Sequence, residues 1–448
     1  MSDEREVSAV SLKLAVVGGG SSYTPELLEG LLAQQDRFPV SEVWLLDIPD
    51  GEEKVSIVAA LGRRMAEAQG RSVRVEWTLD PERALSGADF VVSQFRAGLL
   101  QGRWRDEHLP LKYGMLGQET TGAGGFAYAL RSVHASLELA ERLNRLAPQA
   151  WLVNFTNPSG IVTEALLKHG FDRTVGLCNV AIGVEKATAR ALGVGEERVT
   201  LEAMGLNHLT WMRVFLDGKD ITPRLLHLDE GGLADGLPAN LPRPDWSPAL
   251  LRALGLLPNG YLHYYYAYDD AVHHELEAVE RGEGTRADRV IEIERDLFRL
   301  YADPNLREKP ALLSKRGGAF YSEAAVRLMV GLHAGADQPQ VLNVRNGDTF
   351  PELAPDSVVE VACKVERGRV TPLSPGPMPT VVRGLVQGVK AYEELTVEAA
   401  RTGSRDLALA ALVAHPLVHS ADKAQALLGD ILHENADYLP RFQSATQR

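Results

Sequence analysis

Apolar residues fall into two textures along the first two hundred positions. Short strand-like runs lie at Leu14–Val17, Val43–Asp47, Val73–Trp77, Asp89–Phe95, Ala150–Phe155 and Thr174–Leu177. Most are apolar throughout, as expected of strands buried on both faces. Between them Val55–Gln69, Pro81–Ser86 and Ala127–Leu146 carry helical spacing. Strands alternating with helices predict an α/β fold built on a doubly wound parallel sheet. From about Thr200 the pattern changes. Val199–Met204 and Trp211–Leu216 read as strands, and Asp229–Asp245 as a loop rich in Gly, Pro and Asp. Helical segments then run through Tyr301, and strands return at Val341–Val344 and Val358–Val365. Three helices close the chain, at Val381–Ala400, Asp406–Val413 and Lys423–Glu434. The expected division is a first domain over residues 1–198 and a second, α+β domain over residues 199–448.

The first strand breaks on Gly18-Gly19-Gly20, after which Thr24 offers an N-cap and Pro25 a first helical position. Strand, glycine turn and helix N-terminus together hold a dinucleotide pyrophosphate, because small residues admit the phosphates to free N–H groups. Gly18 and Gly20 fit the Rossmann-like pattern, whereas Tyr23 stands where its third glycine belongs. A plain strand–turn–helix is the competing reading. Asp47 ends the second strand, where a carboxylate reaches the adenosine ribose and favours NAD over NADP. Three later strands carry Arg96, Asn157 and the Cys178-Asn179 pair to the same rim. Arg96 reads equally as an anion contact or a surface ion pair. Asn157, preceding Pro158, reads also as the start of a turn.

Charge narrows the partners. A formal net charge of -13 over 448 residues argues against nucleic acid. Two cysteines, Cys178 and Cys363, exclude a disulfide framework and suit a reducing cytoplasm. Met1–Val10 is charged and has no apolar core, unlike a signal peptide. No apolar run approaches the ~20 residues of a membrane span.

Cys178 and His208 are each most simply core residues. Together they offer a thiolate and an imidazole to a divalent metal, with positions left for substrate oxygens. Tyr261, Tyr264, Tyr265, Tyr266 and Tyr268 cluster after Leu256-Leu257-Pro258-Asn259-Gly260. A tyrosine acts as a base only beside a cation or metal that lowers its pKa. Thr285-Arg286-Ala287-Asp288 opens a helix, with Arg286 either a second anion contact or solvated.

Several segments resemble glycoside hydrolase family 4, the NAD- and manganese-dependent glycosidases. They are V-V-G-G-G-S-S-Y-T-P-E-L, Pro110–Gly122, Asn154–Ala165, Gly176–Val180, G-L-N-H-L and Leu257–Tyr266. The resemblance runs from Leu12 to the C-terminal region and implies a lactate/malate dehydrogenase-like architecture. Cys-Asn-Val at 178–180 resembles the 6-phospho-β-glucosidase branch, although Ala181 replaces that branch's proline.

What the resemblance implies is hydrolysis by a redox detour. NAD+ takes hydride from carbon 3, Tyr261 removes the acidified carbon 2 proton, and the glycosidic oxygen leaves by elimination. Water then adds and the hydride returns. Cys178 and His208 would hold Mn2+, and Asn179 would mark specificity and join Tyr261 as a catalytic residue. Gly18, Gly20, Ser21, Ser22 and Asp47 would hold NAD, with Ser21 or Ser22 also sharing the substrate phosphate. Arg96, Asn157, Asn179, Asn207 and Arg286 would contact substrate. A phosphorylated disaccharide or aryl glycoside, a homodimer or homotetramer and a cytoplasmic setting are the expected context. Competing expectations are another family 4 specificity, α-linked or unphosphorylated, and an NAD-dependent 2-hydroxy acid dehydrogenase. A non-catalytic NAD sensor is a further one.

Overall fold

The computed structural model describes residues 11–226, 246–317 and 320–444. The expected Asp229–Asp245 loop and Met1–Val10 lie outside the described residues.

Six parallel strands form the frame: β1 (Leu12–Val17), β2 (Val40–Leu46), β3 (Arg74–Thr78), β4 (Phe90–Ser93), β5 (Trp151–Asn154) and β6 (Thr174–Gly176). Their spatial order is β3-β2-β1-β4-β5-β6, which places the reversal of winding between β1 and β4. Leu14, Ala15 and Val16 of β1 are fully buried, as a central strand covered on both faces requires. Helices Glu52–Ala68 and Gly122–Leu146 cover the expected 55–69 and 127–146 segments, each starting several residues earlier. Leu99–Leu111, whose spacing predicted nothing, is also a helix.

Beyond residue 199 the chain builds a hairpin, β7 (Val199–Leu206) and β8 (Leu209–Leu216), joined by β9 (Lys219–Asp220) and β10 (Leu257–Pro258) in a second sheet. It then returns to the first. β11 (Gln340–Arg345), β12 (Val358–Glu366) and β13 (Arg369–Pro372) extend the large sheet antiparallel past β6, giving nine strands. The large sheet therefore draws on both sides of residue 198. Helices Thr380–Thr402, Arg405–Ala414 and Ala421–Glu434 match the three expected closing helices.

The glycine turn corrects one expectation. Thr24 does not cap the helix Thr24–Ala33; Tyr23 occupies the cap without a side-chain bond. The buried Thr24 hydroxyl instead donates to Gly19 O at 2.9 Å and accepts from Gln94 Nε2 at 2.7 Å, tying the turn to the end of β4. A hydroxyl satisfied twice inside the fold has nothing left for the helix end.

Arg131 locks the helices beside the rim. Its guanidinium is fully buried and makes two bonds to Asp106, at 2.9 and 2.7 Å, and one each to Ala97 O, Ala127 O and Asn435 Oδ1. Removing one partner of such a pair strands a buried charge. Arg131→Ala is expected to lose about 3–5 kcal/mol, read as a lower urea midpoint. An unchanged midpoint would refute the locking role.

Candidate active site

The carboxyl ends of the parallel strands open into a cavity of about 1120 Å³, with room for a dinucleotide and a sugar together. At one end β1 delivers Gly18, Gly20 and Ser21, and β2 delivers Asp47. Gly18 has φ +82°, and a Cβ there would stand 2.7 Å from Phe95 Cα. At Gly20 a Cβ would stand 2.9 Å from Asp47 Oδ2, the atom that accepts the Gly20 N–H at 2.7 Å. The absence of side chains here leaves a cradle beside a carboxylate. Burial raises the Asp47 pKa, against the Gly20 and Ile48 N–H bonds and Lys54. Ser22 is not on this wall. It is buried, with its hydroxyl donating to Glu294 Oε2 at 3.2 Å.

The other end is built from the hairpin and the tyrosine segment. β7 and β8 pair Leu206 with Leu209, so Asn207 and His208 are the whole turn. His208 takes φ +65°, a conformation costly for any residue but glycine and often found at functional sites. Its ring stacks on Tyr261, centroids 4.0 Å apart and planes at 13°. The Asn259 side chain accepts from the Tyr261 N–H at 2.8 Å and fixes that segment. Tyr261 also packs with Cys178 and Val180, and the Asn207 side chain near Cys178 favours its thiolate. Cys178, Asn207, His208 and Tyr261 are thus brought together. Asn179 is buried at the head of the helix Val180–Leu192 and, like Cys178 and Asn207, lies behind the cavity wall.

Burial, reinforced by Glu360, pushes the Cys178 thiol up to about 12. Burial pulls His208 down to about 4, so its imidazole is neutral with a lone pair to donate. Burial, with Cys178, Tyr264 and Glu119, raises Tyr261 well above an ordinary phenol. Among the described residues no cluster of three His, Cys, Asp or Glu could hold a metal. A two-donor thiol–imidazole set fits a divalent ion whose remaining ligands come from substrate or water. Asn157 lines the cavity, and its Oδ1, like that of Asn207, is buried with no hydrogen-bond partner among the described residues. Buried acceptors without partners suit a site that a ligand completes.

Arginines dominate the middle. Arg96 is neither a surface ion pair nor a free anion contact. It meets Glu119 at 2.6 Å and lies over the Tyr128 ring at 4.4 Å, inside the cavity wall. Arg103 meets both Glu119, at 3.0 Å, and Glu107, at 2.8 Å. Burial would raise the Glu119 pKa, but Arg103, Arg96 and Arg316 outweigh it and hold the carboxyl below its usual value. Arg286 donates to the carbonyls of Lys315 and Arg316, both at 3.1 Å, and has no carboxylate partner among the described residues. Burial, then the charges of Arg103 and Arg316, lowers its pKa.

Two family models match: family 4 glycosyl hydrolase over residues 13–194 and its C-terminal domain over residues 203–418. The chain belongs to family 4 of the glycosyl hydrolases. It is 45% identical to the "Probable 6-phospho-beta-glucosidase" of Bacillus subtilis (strain 168), covering 96% of this chain and 98% of that protein. The 6-phospho-beta glucosidase of Thermotoga maritima, solved with manganese, NAD+ and glucose-6-phosphate, superposes with a TM-score of 0.86. It is 37% identical, covering 96% of this chain and 99% of that one. Malate dehydrogenase from Plasmodium falciparum, at 12% identity and a TM-score of 0.51, covers 89% of this chain and 99% of that one. It shares the expected fold alone.

For this family 4 chain, sequence reasoning left out Arg103, Glu107, Glu119 and Glu360. Glu119 lies inside the Pro110–Gly122 motif, and Arg103 and Glu107 share a helix face at i, i+4. Glu360 is the buried acid of strand β12, set within the apolar run Val358–Ala362, a sign of a buried role. Its carboxyl accepts from Asn207 Nδ2 at 3.0 Å and Asn343 Nδ2 at 3.4 Å, and lies 2.5 Å from Thr210 Oγ1. Thr210 Oγ1 also meets Leu206 O at 2.7 Å. A hydroxyl has one proton, so Thr210 serves one of these acceptors at a time; burial raises the Glu360 pKa, against the bonds from Thr210, Asn207 and Asn343. Glu360→Ala is expected to lose about 1–3 kcal/mol per stranded polar group, and Glu360→Gln much less. Equal urea midpoints for both variants would contradict the assignment.

Proposed function

We propose that this family 4 glycosyl hydrolase is a 6-phospho-β-glucosidase dependent on NAD+ and a divalent ion, Mn2+ foremost. One observation carries the reading: a single cavity joins the glycine turn and Asp47 to His208, Tyr261 and the arginine wall. The names of the B. subtilis and T. maritima relatives point the same way. When bound, NAD+ supplies a reversible hydride acceptor for carbon 3 and the metal a Lewis acid for the neighbouring oxygens.

The chain's residues divide the remaining work. Gly18, Gly20 and Ser21 cradle the pyrophosphate, and Asp47 accepts from the ribose hydroxyls. Cys178 and His208 hold the metal. Tyr261 removes and returns the carbon 2 proton, and the cation nearby offsets the burial that keeps its phenol protonated. Asn157 and Asn207 orient sugar hydroxyls, and Asn179 supports the specificity of the Cys178 segment. Arg286, with no carboxylate of its own, takes the 6-phosphate; Arg96, already held by Glu119, contacts the sugar. The division at 198/199 leaves the nucleotide cradle in the first part, whereas both parts contribute to the substrate end, Arg96, Asn157 and Cys178 from the first and His208, Tyr261 and Arg286 from the second. The setting is a cytoplasmic homo-oligomer, a dimer or tetramer. Among the described residues no helix is long and apolar enough to cross a membrane.

Hydrolysis of 4-nitrophenyl 6-phospho-β-glucoside is expected only with NAD+ and Mn2+ both present. A chelator should abolish it, and NADH should not accumulate. Full turnover without NAD+ would sink the reading, and steady net NADH would favour a dehydrogenase. Tyr261→Phe should lose about 10²–10⁴-fold in kcat; normal turnover would remove the base. Asp47→Ala should weaken NAD+ binding by about 1.5–3 kcal/mol in calorimetric titration, and unchanged affinity would displace Asp47 from the ribose.

A further inference from the structure

Elimination at carbon 2 leaves one proton unaccounted for. The departing glycosidic oxygen must acquire it, and the entering water must lose one. A carboxyl that donates a proton near neutral pH must be protonated there, which excludes one clamped by arginine. Glu119 is held by Arg96 and Arg103. Glu107 is held by Arg103 and by the Ala287 N–H at 2.7 Å. Glu294 pairs with Lys54 at 2.5 Å and Arg316 at 3.8 Å. Asp47 belongs to the nucleotide end.

Glu275 differs from all of these. It lies on the helix Tyr268–Glu280, lines the same cavity, and has no cationic partner among the described residues. It stands beside the tyrosine pair: Tyr264 packs 6.1 Å from Tyr261, centroid to centroid, and Glu275 is the charge that most raises the Tyr264 pKa after burial. The Gly117 N–H fixes its Oε2 at 2.8 Å. That bond survives loss of the proton, so the carboxyl keeps one position in both states. Facing it are Glu107 from the helix Leu99–Leu111, Tyr264 from the short helix His263–Tyr266 and Tyr268 at the head of its own helix.

We propose that Glu275 is the acid–base group of the elimination and addition steps, an inference that rests on the family 4 glycosidase reading. As the electron pair left at carbon 2 closes into the carbon 1–carbon 2 double bond, the carbon 1–oxygen bond breaks. The leaving oxygen takes the Glu275 proton and departs as an alcohol. Water then attacks carbon 1, its proton passes to the Glu275 carboxylate, and carbon 2 recovers a proton from Tyr261. Each group ends as it began. Burial, opposed by the Gly117 N–H and aided by Glu107, raises the Glu275 carboxyl to about 7, so both forms are populated where the enzyme would work.

The test compares leaving groups in the holoenzyme with NAD+ and Mn2+. Glu275→Gln keeps the acceptor for the Gly117 N–H but has no acidic proton. In a single turnover, release of methanol from methyl 6-phospho-β-glucoside should fall about 10²–10⁴-fold, and release of 4-nitrophenolate, which needs no proton and precedes the water step, by less than about tenfold. Equal losses on both substrates, or no loss on either, overturns the proposal. A second measurement needs no variant. In the unaltered enzyme the ratio of methyl to 4-nitrophenyl rates should fall as pH rises through about 7, and a ratio flat with pH overturns it. Wild-type turnover without NAD+ would sink the family reading itself, whatever Glu275→Gln does.

Discussion

The carboxyl of Glu360 holds the two sheets in register, and the site depends on that. It sits on β12 of the large sheet and takes up Asn207 and Thr210 from the β7–β8 hairpin of the small one. Asn207 and His208 are the hairpin's turn, so this buried contact decides where His208 lies relative to Cys178 at the end of β6. A buried carboxyl is costly without partners, and the three polar side chains it meets offset that cost. They also make the placement specific. No apolar residue at position 360 would hold Asn207 in one orientation. Asn207 in turn favours the Cys178 thiolate.

A second constraint is charge. Four arginines, Arg96, Arg103, Arg286 and Arg316, crowd one wall of a chain whose formal net charge is -13. Glu107, Glu119 and Glu294 neutralise most of this. What remains is the guanidinium of Arg286, set against backbone carbonyls and without a carboxylate partner among the described residues. Long-range attraction would not bring a phosphorylated sugar to an acidic protein, so recognition must be local.

The fold was legible because parallel strands buried on both faces read as apolar runs, and because the helices between them are long. Edges were less so. Helix Leu99–Leu111 carries Arg103, Asp106 and Glu107 buried against other charges, so no apolar stripe announces it. Strands β11–β13 look like part of a later domain, yet join the first sheet through one pair, Asn343 with Gly176. Pairing that distant has no local trace. At the site, Cys178, His208 and Tyr261 were found through motif resemblance rather than spacing, since 83 residues separate the first from the last. Thr24 was misread because its hydroxyl serves the fold and not the helix end. Glu119 and Glu275 were invisible as individuals: one is an acid clamped by arginines, the other an acid without them, and only three dimensions tell the two apart.

The central claim is that the bound nucleotide serves a hydrolase by making the carbon 2 proton removable. The most direct measurement is hydrolysis by the holoenzyme in deuterium oxide, followed by mass and NMR analysis of the released glucose 6-phosphate. The account predicts deuterium at carbon 2 of that product. A product carrying only protium at carbon 2, formed at full rate, would contradict it.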